Sequence, residues 1–221
     1  MITHKQYKRC LSLGFPPLPT VEQQFSNIVA KPIVNDIIFA QLQEMYRKRD
    51  WLRYNAIASD YFPDVLQQYI NKKYFIIDIN NKKIKIPIVY SKASGTIAPF
   101  ASCDYYYDYK GNIVIEQISF TSKILVCEDR MIDCIIAHEL AHAKRYLENR
   151  AKDDIEHEEY WADREIKKML PIVNSKYNNR SERRKSLMFL HSRINRVSQT
   201  GIFTPLGEFW DRLFPFHNIP Q

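Results

Sequence analysis

The 221-residue chain has no run approaching the roughly twenty apolar residues that a membrane-crossing helix needs, so it offers no transmembrane candidate. Its four cysteines, Cys10, Cys103, Cys127 and Cys134, form no C-x-x-C pair. That excludes a zinc ribbon and a dithiol redox motif, and nothing suggests a secreted disulfide framework. Reduced thiols acting as small buried hydrophobes are expected. Residues 1–19 carry charges and prolines without an apolar core of signal-peptide length, so the expectation is a soluble, cytoplasmic protein. Internal repeats and low-complexity tracts are also lacking.

A hydrophobic content of 45% suffices for one good core with a small helical appendage, not for two full domains. The net charge of +7 is compatible with an anionic partner, and Arg180, Arg183, Arg184 and Lys185 form a local basic cluster. The remaining basic residues are interleaved with acids, as on a solvated surface. Charge alone therefore leaves nucleic acid a possible partner but not the favoured one.

Between Thr20 and about Asn71 the spacing is helical. Thr20 can cap a helix, Pro32 suits a first helical position, and Ile33, Ile37, Ile38, Leu42, Met45 and Tyr46 recur at helical intervals. Pro63 is expected to open a separate short helix. At Tyr74 the pattern changes to strands at 75–79 and 84–90 flanking Asn80-Asn81-Lys82-Lys83, a hairpin in which Pro87 favours an edge position. A second hairpin pairs 103–109 with 112–120 around Lys110-Gly111, and 91–101 reads as loop. Helix returns at 129–148, where Ile132, Ile136, Leu140, Ala143 and Leu147 form an apolar stripe. A further helix over 155–170 should stop at Pro171. A polar loop at 174–179, a basic amphipathic helix at 181–197 and an aromatic end near Trp210 that packs back on the body complete the chain. The expected division is an N-terminal helical region at 1–72, a catalytic domain at 73–171 and a C-terminal helical extension at 172–221.

The chemistry is concentrated in Ala137-His138-Glu139-Leu140-Ala141-His142. Histidines four apart on a helix lie one turn apart on one face, so both imidazoles can reach one Zn²⁺ while Glu139 sits beside it as a general base. A catalytic zinc needs a third protein ligand, and the next helix offers His157, Glu158 and Glu159. At about 100° per residue, Glu159 projects with Ala162, Ile166, Met169 and Leu170, and His157 projects against them. Asp163, one turn beyond Glu159, suits a carboxylate that accepts the free N–H of a ligand histidine. The plainer alternative makes the histidines surface residues and the acids a solvated pair. It requires the glutamate between the histidines and the acidic pair on the next core-facing helix both to be coincidences.

Residues 135–170, with the hairpin before them, resemble the zincin metallopeptidases. Glu159-Tyr160-Trp161-Ala162-Asp163-Arg164, followed by Met169-Leu170-Pro171, resembles the Glu-x-x-Ala-Asp/Asn helix of the HtpX-like and ImmA/IrrE-like gluzincins, where the glutamate is the third ligand. The interval from His142 to His157, with Trp161 beyond, is similar instead to the SprT/Spartan-like proteases, where a histidine is the third ligand and a glycine usually follows. Glu158 stands where that glycine would be. The gluzincin resemblance implies an α+β zincin-like fold with a small mixed sheet packed on the His-Glu-x-x-His helix, to which the helical spacing before Asn71 adds an N-terminal helical layer. It implies Zn²⁺ at His138, His142 and Glu159, with Glu139 as the base for hydrolysis of a protein or peptide substrate. It further implies an extended substrate along a sheet edge, which is expected at 112–120. Tyr146, Tyr160, Tyr105 to Tyr107 and His191 are candidate donors to the oxyanion. The rivals are a Spartan-like DNA-associated protease, with His157 as ligand and 180–185 on DNA, and a non-catalytic zincin-fold binding module.

Overall fold

A computed structural model describes residues 30–70, 73–91, 100–150 and 155–200. Within these, the side chains at 62–70, 91, 155–157, 159, 160 and 191–200 lie outside the description, as do Cys10, Thr20 and the aromatic end near Trp210. Asn35 caps helix α1 (Asp36–Lys48), accepting the Ile38 N–H at 2.9 Å. Pro32 does not start this helix: it forms an isolated bridge with Glu128, while the Asp129 N–H donates to the Lys31 carbonyl at 2.9 Å. The helix starts instead after Asn35, whose side-chain oxygen satisfies one of the otherwise unpaired first-turn amides. The helix ends at Arg49, in the left-handed region with φ 58°. Helix α2 (Trp51–Ile70) follows at once and runs through position 63, where a separate helix was expected. A proline withdraws one backbone donor from a helix and need not end it. The rings of Tyr46, Trp51, Tyr54 and Phe100 join the two helices, and the buried Tyr54 hydroxyl donates to the Ser122 carbonyl at 2.8 Å.

Strands β1 (Tyr74–Ile79) and β2 (Lys82–Ser91) meet at a two-residue turn in which Asn80 and Asn81 have φ of 49° and 64°. Paired positive φ values match the right-handed twist of the flanking strands, and asparagine tolerates them. The turn is tighter than expected, with Lys82 and Lys83 in the strand. Strands β3 (Ala101–Tyr107) and β4 (Ile113–Thr121) turn on Asp108, whose Oδ1 accepts the Lys110 and Asn112 N–H groups, both at 2.8 Å. Gly111 there has φ 78°.

The order β1-β2-β4-β3 makes a mixed sheet, antiparallel at both ends and parallel between β2 and β4. Two expectations change. Pro87 lies in an inner strand, where pairing with β1 ends at Tyr74 and pairing with β4 begins at Ile88, so its missing N–H interrupts neither ladder. Residues 112–120 lie inside the sheet, and the outer strand beside them is β3. The register steps from Asp104↔Gln117 to Tyr105↔Ile115, so Glu116 is an extra residue that lets both Ile115 and Ile118 be buried.

After a 3₁₀ turn (Ser122–Val126) the chain enters α3 (Asp129–Leu147), which packs on β1, β3, β4, α4 (Ile155–Val173) and α5 (Arg180–Thr200). The expected apolar stripe is present, but residues 131–143 are buried on every side. Helix α4 passes Pro171 and ends at Val173, because buried Leu170 and Val173 hold the last turn against the body. The architecture is α+β, and no helix among the described residues is long and apolar enough to cross a membrane.

A second 3₁₀ turn (Ser175–Asn178) carries Tyr177, which donates to the fully buried Asp133 of α3 at 2.6 Å, with Lys176 Nζ at 2.8 Å from the same oxygen. Burial and that carboxylate push the Tyr177 hydroxyl well above its ordinary pKa. Replacing Tyr177 with Phe leaves Asp133 short of a donor and should lower stability by about 1–3 kcal/mol. A urea-unfolding midpoint equal to that of the wild type would show that the bond contributes nothing.

Candidate metal centre

His138 and His142 occupy successive turns of α3, and their Nε2 atoms stand 2.9 Å apart with the rings crossed at 83°. The outward Nδ1 atoms each face a carboxylate from α4. Asp163 Oδ1 lies 2.9 Å from His138 Nδ1, and Glu158 Oε1 lies 3.4 Å from His142 Nδ1. The hydrogen bond to Asp163 favours the His138 tautomer protonated at Nδ1 and leaves its Nε2 lone pair available, whereas Glu158 stands beside His142 Nδ1 as a nearby charge. Two nitrogens at this separation can both reach a zinc ion at the usual distance of about 2.0–2.1 Å. The donor chemistry therefore fits Zn²⁺.

Asp163 reaches a motif histidine, as the sequence suggested. Glu158 is the residue the sequence reading weighed only as a ligand. In the structure it is buried on the Nδ1 side of His142, with Arg145 donating from Nε to Oε1 at 2.7 Å and from Nη2 to Oε2 at 2.8 Å. Its place one turn before buried Ala162 was the available signal. Among the described residues no three His, Cys, Asp or Glu side chains gather as a metal site. The backbone of position 159 lies one helical turn before Asp163, and the side chains of Glu159 and His157 are outside the description.

Glu139 is buried next to His138 in the sequence. Its charge reaches Cys103 on β3: burial first, then Glu139 and Asp104, push that thiol far above its usual pKa. Cys103 is therefore a neutral wall residue in the described structure. Of the candidate oxyanion donors, Tyr146 lies one turn beyond His142 with ring centroids 6.0 Å apart and nearly parallel. The ring centroids of Tyr105 and Tyr146 stand 4.5 Å apart. Ordinary alternation along β3 puts Tyr105 on the same face as Cys103. Tyr106 and Tyr107 are exposed, and the side chains of Tyr160 and His191 lie outside the description.

The basic cluster is partly neutralised. Lys185 and Arg130 both bond Glu182 at 2.7 Å and hold its carboxyl down at about 2, while Arg180 and Arg184 are exposed. Compared with known proteins, the chain gives no match to a family model, a curated protein or a solved structure.

Glu165, one turn before Met169, carries the edge of the charge network between α3 and α4. Burial alone would raise its carboxyl, but the Arg150 hydrogen bond at 2.7 Å and the Arg150 charge outweigh it and hold the group below its ordinary pKa. A carboxyl lowered on folding contributes stability above its unfolded pKa of about 4.3, and that stability is lost as pH falls through the folded value. Glu165→Gln should thus be less stable than the wild type at pH 7, and the gap should close on acidification below about pH 4. Urea midpoints across this range measure it; a gap independent of pH would refute the linkage.

Proposed function

We propose that the protein is a zinc-dependent metallopeptidase of zincin-like fold, with His138, His142 and Glu159 as metal ligands and Glu139 as general base. The observation that carries this reading is the pair of Nε2 atoms turned toward each other while both Nδ1 atoms face carboxylates. An ordinary surface pair of histidines has no reason to be buried and backed in this way. A bound zinc would supply a Lewis acid that acidifies water and polarises a scissile carbonyl.

The chain's own residues carry the remaining work. Glu139 accepts a proton from the attacking water on its carboxylate and passes it to the leaving amine. Asp163 holds the His138 imidazole in one tautomer, and the Glu158 carboxylate lies 3.4 Å from His142 Nδ1. Tyr146 and Tyr105 extend from His142 toward the outer strand β3. That strand, and not β4, offers backbone groups to an extended protein or peptide substrate. Cys103, Cys127 and Cys134 are free thiols, in keeping with a cytoplasmic setting.

Glu139→Gln should keep stoichiometric zinc and a near-wild-type melting temperature while losing about 10²–10⁴-fold of hydrolysis, because the amide preserves shape but cannot act as a base. His138→Ala should lose the metal and the folding free energy coupled to it. Metal content, melting curves and cleavage of unfolded casein and a broad peptide library, run side by side, measure these outcomes. Full activity in Glu139→Gln would sink the mechanism, and a zinc-loaded wild type silent on the whole library would favour a binding module.

The third ligand is separable. Glu159→Ala should weaken zinc binding sharply and His157→Ala should leave it nearly unchanged, as read by competition with a chromogenic chelator. The opposite pattern would move the ligand to His157 and the reading to the Spartan-like branch.

A further inference from the structure

Strand β3 is the outer strand packed on α3, and among the described residues no strand pairs with its free side. Such edges are normally guarded by lysine, proline or an inward charge, because unpaired N–H and C=O groups recruit other strands. β3 has no lysine, arginine or proline. Its one charge, Asp104, lies on the face away from α3, where Ser102, Gln117 and Ser119 donate to the carboxylate at 2.8, 3.0 and 2.9 Å. The face toward α3 is uncharged along this strand, and Cys103, Tyr105 and Tyr107 alternate onto it. There the rings form a row: Tyr146 stacks on His142 at 6.0 Å, Tyr105 stands 4.5 Å from Tyr146, and Tyr107 meets Tyr105 edge-on at 6.0 Å. Exposure grows along it, from half-buried Tyr146 to 41% at Tyr105 and 64% at Tyr107. A single exposed tyrosine is ordinary, whereas a row that starts at a histidine of the candidate centre and ends on an unguarded edge is a contiguous apolar patch.

We propose that Tyr105 and Tyr107, backed by Tyr146, form a specificity subsite that selects an aromatic or branched aliphatic side chain on an extended substrate paired to β3. The inference rests on the peptidase reading above. A chain added to the free side of β3 turns alternate side chains to the tyrosine face, and the one directly opposite Tyr105 has its Cβ about 4.5–5.5 Å away. An apolar side chain there covers ring area from both tyrosines, as aromatic and β-branched cross-strand pairs do. An acidic one would give up hydration against the rings, and β3 supplies no cation to offset the loss. Every second residue advances about 6.6 Å along a strand, so the selected position stands a few residues to one side of the bond that is cut. The rings carry this role; the hydroxyls are not required for it.

The test uses the zinc-loaded full chain on a mixture of short peptides varied at every position, with the products identified by mass spectrometry. Wild type should show one position near the bond cut at which Phe, Tyr, Ile or Val is preferred over Asp by about tenfold or more in kcat/KM. Tyr105→Ala and Tyr107→Ser should each bring that preference below about threefold, because ring area is lost. Tyr105→Phe should retain the preference whatever its effect on rate, since the ring survives without the hydroxyl. The ratio separates a subsite from the other roles open to these tyrosines: loss of an oxyanion donor or of folded protein slows every peptide alike. An equal loss on all peptides, a preference unmoved in either variant, or a wild type without apolar preference overturns the subsite. Should Tyr105→Ala fail to fold, Tyr107→Ser, at the exposed end of the row, decides by the same ratio. A zinc-loaded wild type that cuts no peptide refutes the peptidase reading, and binding then decides the subsite on its own. A labelled Phe peptide held about tenfold tighter than its Asp twin, with the gap lost in Tyr107→Ser, sustains it, and equal binding overturns it.

Discussion

The structure depends on burying a helix that carries too many ionisable groups to be buried alone. Helix α3 has no polar face over residues 131–143, yet it holds Asp133, His138, Glu139 and His142 there, with Arg145 just beyond. Each such group costs free energy unless a neighbouring element supplies a partner. Tyr177 and Lys176 come to Asp133, Asp163 to His138, and Glu158 to His142 and Arg145. These pairings fix the rotation of α4 about its own axis more sharply than its apolar residues do. Ala162 and Ile166 could tolerate a modest turn of the helix, whereas the carboxylates at 158 and 163 could not.

A buried ion pair such as Arg145–Glu158 is poor evidence for stability, because desolvating both charges offsets much of their attraction. Its value lies in direction. The bidentate contact defines where one carboxylate oxygen sits relative to His142, and a hydrophobic pair of equal volume would pack as well without defining anything. The same reasoning explains why the site is assembled between helices. Both the histidines and their carboxylates stand on rigid elements, spaced by helical turns.

The sheet contributes a wall and an outer strand. The bulge at Glu116 lets β4 bury Ile115 and Ile118 together, while β3 sets Tyr105 against Tyr146. Strict alternation without that extra residue would have moved one of these side chains to the opposite face. An aromatic row thus runs from His142 to the outer strand, joining the histidines to the surface where an extended chain could pair.

Local rules were enough for the features that depend on neighbours in the sequence. The four-residue interval of His138 and His142, a hairpin turn starting at Asn80, the turn at Lys110-Gly111, the extent of α3 and the placement of Asp163 on the site-facing side of α4 were all legible, because helical and strand periods and turn chemistry act over a few residues. What the sequence could not decide involved partners far apart along it. The insertion of β4 between β2 and β3, which moved the outer edge to β3, rests on a parallel pairing of β2 with β4 that no local signal encodes. Pro32 joined Glu128 through a contact across 96 positions, beyond any local signal. Pro171 stayed within a helix because tertiary burial of Leu170 and Val173 outweighed its local tendency to end one. Glu158 lies beside His142 in the grip of Arg145, which stands on another helix. Spacing determined which side chains share a face, and packing between elements decided which charges those faces meet.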